Sequence, residues 1–278
     1  MRLLYKYVPL QSEEHMARVR RLVNGWVYFS SATDFNDPFE LSPVVAPPSI
    51  KTVSAVLDSI RATETGISKS AQRKIIQNVQ SQIRRSAPGA VSRAWVASLG
   101  VLCLTTEPKD LLMWAHYASS HTGLCLGFDA RYAPFSEARQ VRYVSDRPSL
   151  PALDVDEFDA EVTETVLLRK SPHWKYEKEW RAVKRPISDD ERNFYRENIV
   201  NGKMHPEDIA NLLATEGGPG HYEFEPAALR RVILGARISA EHKLEIQRIV
   251  KTTSEAKLLQ AEIDSKYFIL NTLPDADD

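Results

Sequence analysis

The stretch LLYKYVPLQSEEHMARVRRLVNGWVYFS, residues 3–30, decides the fold class. Leu3-Leu4-Tyr5-Lys6-Tyr7-Val8 reads as a short strand and stops at Pro9, which has no N–H to continue a ladder. Ser12 follows as an N-cap, with Glu13 and Glu14 behind it. Met16, Val19, Leu22 and Val23 then recur at three- and four-residue intervals, the spacing of one helix face. Asn24-Gly25 closes that helix. Trp26 to Ser30, rich in aromatic and β-branched residues, is a second strand. A strand, a helix and a strand within thirty residues exclude an all-helical bundle.

Working outward, Ser31 to Pro38 reads as a loop and Pro43 to Pro48 as a breaker-rich connection. From Ile50 to Arg85 the chain is polar and helical in period. Val53, Val56, Leu57 and Ile60, then Ile75, Ile76, Val79 and Ile83, mark two amphipathic helices, and Ser86-Ala87-Pro88-Gly89 ends them. Val101–Thr105, Leu124–Asp129, Gln140–Val144, Glu179–Val183, Arg230–Gly235, Leu258–Ile263 and Tyr267–Leu270 read as strands. Residues 109–119 and 239–251 read as helices, the first capped by Asp110. An acidic run from Asp154 to Glu164 reads as the solvated side of a helix ahead of Val166-Leu167-Leu168. Strands and helices do not alternate as a doubly wound fold requires. The expectation is an α+β fold: one domain over 1–273 with a mixed, mainly antiparallel sheet, a helical insertion at 50–88 and a disordered tail at 274–278.

Composition removes several function classes. Lys plus Arg number 36 and Asp plus Glu 37, a formal net charge of -1 in 278 residues, so no global field draws the chain to nucleic acid or anionic lipid. The two cysteines, Cys103 and Cys125, lie in apolar runs without zinc spacing and read as small buried hydrophobes. The N-terminal segment lacks the pattern of a signal peptide, and no run approaches the roughly 20 apolar residues of a membrane helix. A cytoplasmic protein is expected. Neither a Gly-x-Gly-x-x-Gly nor a Walker loop is present.

Polar and aromatic residues concentrate in three blocks. The first joins Tyr5-Lys6-Tyr7 with Phe35-Asn36-Asp37-Pro38-Phe39-Glu40. Asn-Asp-Pro starts turns, which reads either as a structural turn with Phe35 and Phe39 buried or as a strand-end loop that places Asn36 or Asp37 in a site. The second, Met113-Trp114-Ala115-His116-Tyr117 with His121, puts indole, imidazole and phenol within four residues. That suits a ligand wall, where stacking and hydrogen bonding are both needed, or an amphipathic core helix. His116 and His121 lack the spacing and the companions of a metal site, and no metal is expected. The third is Trp174-Lys175-Tyr176-Glu177-Lys178-Glu179-Trp180-Arg181. Read as a strand, it points Glu177, Glu179 and Arg181 to one side, as a surface ladder of ion pairs or as a pocket in which Arg181 orients a carboxylate.

These blocks carry a resemblance. LYKY (4–7), WVYFSSATDFNDPFE (26–40), LCLTT (102–106), LLMWAHYASSHTGLCLGFD (111–129), VRY (141–143), KSPHWKYEKEWR (170–181) and LRRVILG (229–235) resemble the mostly bacterial family catalogued as domain of unknown function 2971 (DUF2971). The order of elements also looks like that of ADP-ribosyltransferases, where a strand with an aromatic or polar dipeptide is followed by a helix, a Gly and an extended segment, with Glu-x-Glu late in the chain. Glu177-Lys178-Glu179 fits that spacing; Lys6 or Tyr7 stands where the family carries His or Arg. The resemblance implies NAD as substrate, consumed by an ADP-ribosyltransferase or NAD glycohydrolase such as a bacterial toxin or phage-defence effector, with a protein or nucleic-acid acceptor. It implies Glu179, Glu177, His116 and Tyr117 as catalytic residues. Tyr5, Lys6, Tyr7, Ser30, Asn36, Asp37, Trp114, His121 and Arg181 are the expected nucleotide contacts. Two other expectations compete: a metal-dependent nuclease or phosphodiesterase using Asp37, Glu177, Glu179 and Lys178, and a non-enzymatic nucleotide-binding module.

Overall fold

The structure is a computed structural model. It describes residues 2–46, 68, 70, 71, 73, 74, 77, 93–151, 165–187, 189–203 and 217–274. Most of the helical insertion, the acidic run and residues 275–278 lie outside the described residues. Contacts divide the chain into two units: residues 1–34, 98–141 and 173–278 form the first, residues 35–97 and 142–172 the second.

The first unit is built on a ten-stranded sheet. Its elements are β1 (Leu3–Val8), α1 (Glu13–Val23), β2 (Trp26–Ser31), β4 (Gly100–Thr105), α3 (Leu111–Tyr117), β5 (Leu124–Asp129), β6 (Arg139–Gln140), β10 (Glu179–Lys184), α4 (Asp189–Val200), β11 (Gly220–Glu223), β12 (Leu229–Leu234), α5 (Ala240–Thr253), β13 (Lys257–Ile263) and β14 (Leu270–Pro274). The strand order is β11-β2-β4-β1-β5-β12-β13-β14, with β10 on β4 and β6 on β10. All these pairs are antiparallel except β12 with β13. The fold is therefore α+β with a mixed, mostly antiparallel sheet.

Alternation along the strands gives the sheet two apolar faces. On one, Leu4, Val8, Leu102, Leu104, Leu126, Phe128 and Val232 pack beneath Met16, Val19, Leu22 and Val23 of α1 and Ile246 and Val250 of α5. On the other, Tyr5, Tyr7, Cys125 and Ile233 pack beneath Met113, Trp114 and Ala118. Each large side chain so buried contributes roughly 1.5–3 kcal/mol. The caps are those expected from sequence: Ser12 accepts from His15 N, and Asp110 from the Leu112 and Met113 amides. Gly25 takes φ 85° directly after α1, where a side chain would be strained. Among the described residues no helix is long and apolar enough to cross a membrane.

The second unit holds two small parallel pairs, β3 (Val44–Ala46) with β8 (Ser149–Pro151) and β7 (Arg142–Tyr143) with β9 (Arg169–Lys170), and the helix α2 (Arg93–Ser98) starts within it. Glu40 and Lys170 form a buried pair there, 3.6 Å apart.

Several expectations are corrected. The strand read over 140–144 is two short ones on either side of Val141. Of the closing segment read at 267–270, residues 267–269 curl, because Asp264 accepts from the Lys266 and Tyr267 amides and Asn271 Nδ2, and β14 begins only at Leu270. Pro274, placed in the tail, is the last residue of β14. Phe39, offered as a buried flank of the Asn-Asp-Pro turn, is 65% exposed. Cys103 is only partly buried, whereas Cys125 is fully so.

Candidate functional site

The third block is not a strand throughout. Pro172–Glu177 is 3-10 helix, Lys178 takes φ 43°, and β10 begins at Glu179. The alternation expected of 174–181 therefore applies only from Glu179 onward. A non-glycine residue held in the left-handed region costs on the order of 1–3 kcal/mol and marks a chain over-determined by its surroundings. Lys178 has such surroundings: its Nζ donates to Glu107 Oε1 at 2.6 Å. The Thr105 hydroxyl donates to the Glu177 carbonyl and accepts the Glu107 amide at 3.0 Å.

Register then fixes a row of side chains. Tyr5 pairs with Thr105, and Thr105 pairs with Glu179. Directly paired residues project to the same side, so Tyr5, Thr105 and Glu179 line up across β1, β4 and β10. Arg181, in register with Cys103, occupies the next row on that face. Its guanidinium grips Glu179 through two parallel bonds, Nε to Oε1 at 2.7 Å and Nη2 to Oε2 at 2.9 Å. Both residues are almost wholly buried, with relative exposures of 1% and 4%. The expectation of an exposed ion-pair ladder is thus overturned. Burial alone draws the Arg181 pKa down; the bidentate carboxylate opposes that pull and keeps it cationic.

Helix α3 lays the second block on the same face. Trp114 is fully buried, stands edge-on to Tyr7 with ring centroids 5.2 Å apart, and donates Nε1 to the Pro108 carbonyl at 2.9 Å. The Tyr117 hydroxyl donates to Glu177 Oε1 at 2.6 Å. His116 is exposed and meets the Tyr176 hydroxyl through Nδ1 at 3.0 Å. The helix is shorter than the 109–119 expected. Ser119, Ser120 and His121 follow with φ of 50°, 54° and 71°, and this sharp return stacks His121 on Trp114 at 6.2 Å. Burial beside Arg237 lowers the His121 pKa. The Tyr7 hydroxyl donates to the Glu107 carbonyl at 2.7 Å, and burial raises its pKa.

The structure brings together, within the first unit, Tyr5, Tyr7, Trp114, His116, Tyr117, His121, Glu177, Glu179 and Arg181. Lys6 is in register with Leu126 and so turns to the opposite, α1-bearing face. Ser30 lies at the far end of β4, in register with Val101. Asn36 and Asp37 belong to the second unit, where Asp37 Oδ1 accepts the Phe39 amide at 2.9 Å and holds the expected turn. Sequence reasoning missed Thr105, Glu107 and Tyr176. The first two tie the block together partly through backbone groups; the run Thr105-Thr106-Glu107-Pro108 after a buried strand was the available signal. Among the described residues no group of three or more His, Cys, Asp or Glu side chains is arranged to hold a metal ion.

Residues 113–182, which contain most of this site, match the family model described as "Protein of unknown function (DUF2971)". The match covers the second and third blocks, from Met113 through Arg181. No curated protein and no solved structure matches the chain.

Proposed function

We propose that the protein cleaves the nicotinamide–ribose bond of NAD and passes ADP-ribose to an acceptor or to water. The observation that carries this reading is the row Tyr5–Thr105–Glu179, with the buried Glu179 carboxylate on the sheet face that also carries Tyr7 and Trp114. As the bond breaks, its electron pair stays on the nicotinamide nitrogen and positive charge develops at the ribose carbon. A carboxylate held in a nearly dry site stabilises that charge without having to reorganise. Arg181 fixes the orientation of Glu179, and each carboxylate oxygen accepts more than one hydrogen bond, so this contact orients the group without exhausting it. Glu177, fastened by Tyr117, supplies a second carboxylate to take the proton from the attacking hydroxyl.

The test is release of nicotinamide from NAD by the folded protein, followed by chromatography. The wild type is expected to release it, and Glu179→Gln to lose about 10²–10³ in rate. Wild-type protein that binds NAD tightly but releases no nicotinamide, or a Glu179→Gln variant with unchanged rate, overturns the reading.

A further inference from the structure

Strand β14 ends the strand order of the sheet and pairs with β13 alone. Its other edge, over Leu270–Pro274, meets no strand among the described residues. An unpaired edge presents a row of N–H and C=O groups, and an extended polypeptide satisfies them in series. Charged side chains and proline within a strand normally keep such an edge single. β14 reads Leu-Asn-Thr-Leu-Pro: it carries no charge, and its proline stands at the end.

Apolar side chains gather at the same place. Phe268, in the turn that leads into β14, is 97% exposed, and Ile263, Tyr267, Ile269, Leu273 and Leu112 are exposed as well. These are six of the eleven large apolar side chains exposed among the described residues. Apolar groups scattered singly over a surface need no explanation; a gathered set marks a contact. Ile263 is in register with Leu270, and Phe268, Ile269 and Leu270 face Lys109 to Leu112, at the start of α3, across a groove. Asp264 fastens the turn by accepting from the Lys266 and Tyr267 amides and from Asn271 Nδ2.

A second copy of the chain fits this surface in area, charge and geometry. An exposed aromatic side chain presents roughly 150–250 Å² and an aliphatic one somewhat less, so the six together offer on the order of 700 Å². A specific interface takes about 800 Å² from each partner, and the strand edge supplies the remainder. A self-contact sets like beside like about its two-fold axis, so its centre must be uncharged. β14 and the six side chains meet that condition. The exposed charges around them, Lys109, Lys266 and Glu262, are of both signs and can pair across the contact. The same mixture gives no strong field for an anionic lipid surface. Two identical strands paired antiparallel are related by a two-fold axis, so each edge completes the other with the same residues.

We propose that two copies of the chain associate through β14 and the 263–269 turn, joining their sheets edge to edge. The association is independent of the reaction proposed at Glu179.

The experiment is sedimentation velocity of the full chain over a range of concentrations, without detergent. The wild type is expected to sediment at twice the chain mass at micromolar concentration and to move toward the single chain on dilution. Phe268→Glu and Ile269→Lys are each expected to weaken association at least about tenfold. Unchanged circular dichroism shows that these variants, both at exposed positions, are folded. Hydrogen exchange gives a second readout: amides within 270–273 are expected to exchange more slowly in the associated wild type than in Phe268→Glu. A wild type that stays single at every concentration, association indifferent to both substitutions, or β14 amides that exchange alike in the two proteins would each overturn the proposal. A single chain that instead binds vesicles of anionic phospholipid would overturn it in favour of a lipid surface.

Discussion

Tyr117 and Glu177 are sixty residues apart in sequence and joined by a 2.6 Å hydrogen bond from phenol to carboxylate. The bond ties the last residue of α3 to the last residue of the 3-10 turn that precedes β10. A hydrogen bond to a buried carboxylate contributes about 1.5–3 kcal/mol. Tyr117→Phe is expected to lower unfolding stability by about that amount in urea. It is also expected to slow nicotinamide release about 10- to 100-fold, because Glu177 loses the contact that aims it. A variant as stable and as active as the wild type contradicts both roles.

The Arg181–Glu179 pair makes a sharper prediction. Removing the guanidinium strands a carboxylate in the interior, at a cost of about 3–5 kcal/mol. Arg181→Met alone should therefore be strongly destabilised. Arg181→Met combined with Glu179→Leu should recover much of the loss, since the two charges are then removed together. Chemical denaturation of the two single variants and the double variant measures the coupling. Additive losses would mean that the two side chains do not depend on each other.

Gly123 and Gly235 are expected to tolerate no side chain. A Cβ on Gly123 falls 2.2 Å from the Val8 carbonyl oxygen, and one on Gly235 falls 2.2 Å from that of His121. Both obstacles are backbone and cannot swing aside. Alanine at either position is expected to cost about 3 kcal/mol or more, seen as a lower denaturation midpoint. The Gly235 change should also disturb His121 and, through its stacking, Trp114 fluorescence.

Stability should carry an acid-sensitive share from Asp129. Its carboxylate accepts three bonds from the Arg131 guanidinium and one from the Arg131 amide, and these hold its pKa below the usual range. A depressed folded pKa contributes stability that is complete above the unfolded value, about 3.9, and is lost as pH falls through the folded value. The stability gap between wild type and Asp129→Asn should therefore be constant near neutrality and shrink below about pH 4. A gap that persists into strong acid would assign the effect to something other than ionisation.

Much of the fold was legible because its signals are local. The caps Ser12 and Asp110, the apolar period of 16–23 and the run Leu102-Cys103-Leu104 each name their element without help from distant residues. The sheet order was not legible. Nothing near Tyr5 says that it lies between 100–105 and 124–129 rather than at an edge. The third block misled for a different reason: an alternation of Glu, Lys, Glu, Trp and Arg looks extended, while Lys178 turns left-handed between the 3-10 segment, pinned by the Thr105 hydroxyl at the Glu177 carbonyl, and the start of β10. Trp114, Tyr117, Glu177, Glu179 and Arg181 were singled out from side-chain chemistry together with the resemblance. Thr105 and Glu107 escaped because main-chain atoms carry much of their work. Lys6 was grouped with its neighbours Tyr5 and Tyr7, but strand alternation sends it to the other face.

The position of β1 has a consequence for how the molecule is made. Its six residues leave the ribosome ahead of everything they pair with, since one flank is completed by 124–129 and the other is touched at Thr105. Until residues 124–129 have been made, this strand must wait without the partner that pairs with all six of its residues. Such late closure between distant segments favours slow assembly and exposure to chaperones during synthesis.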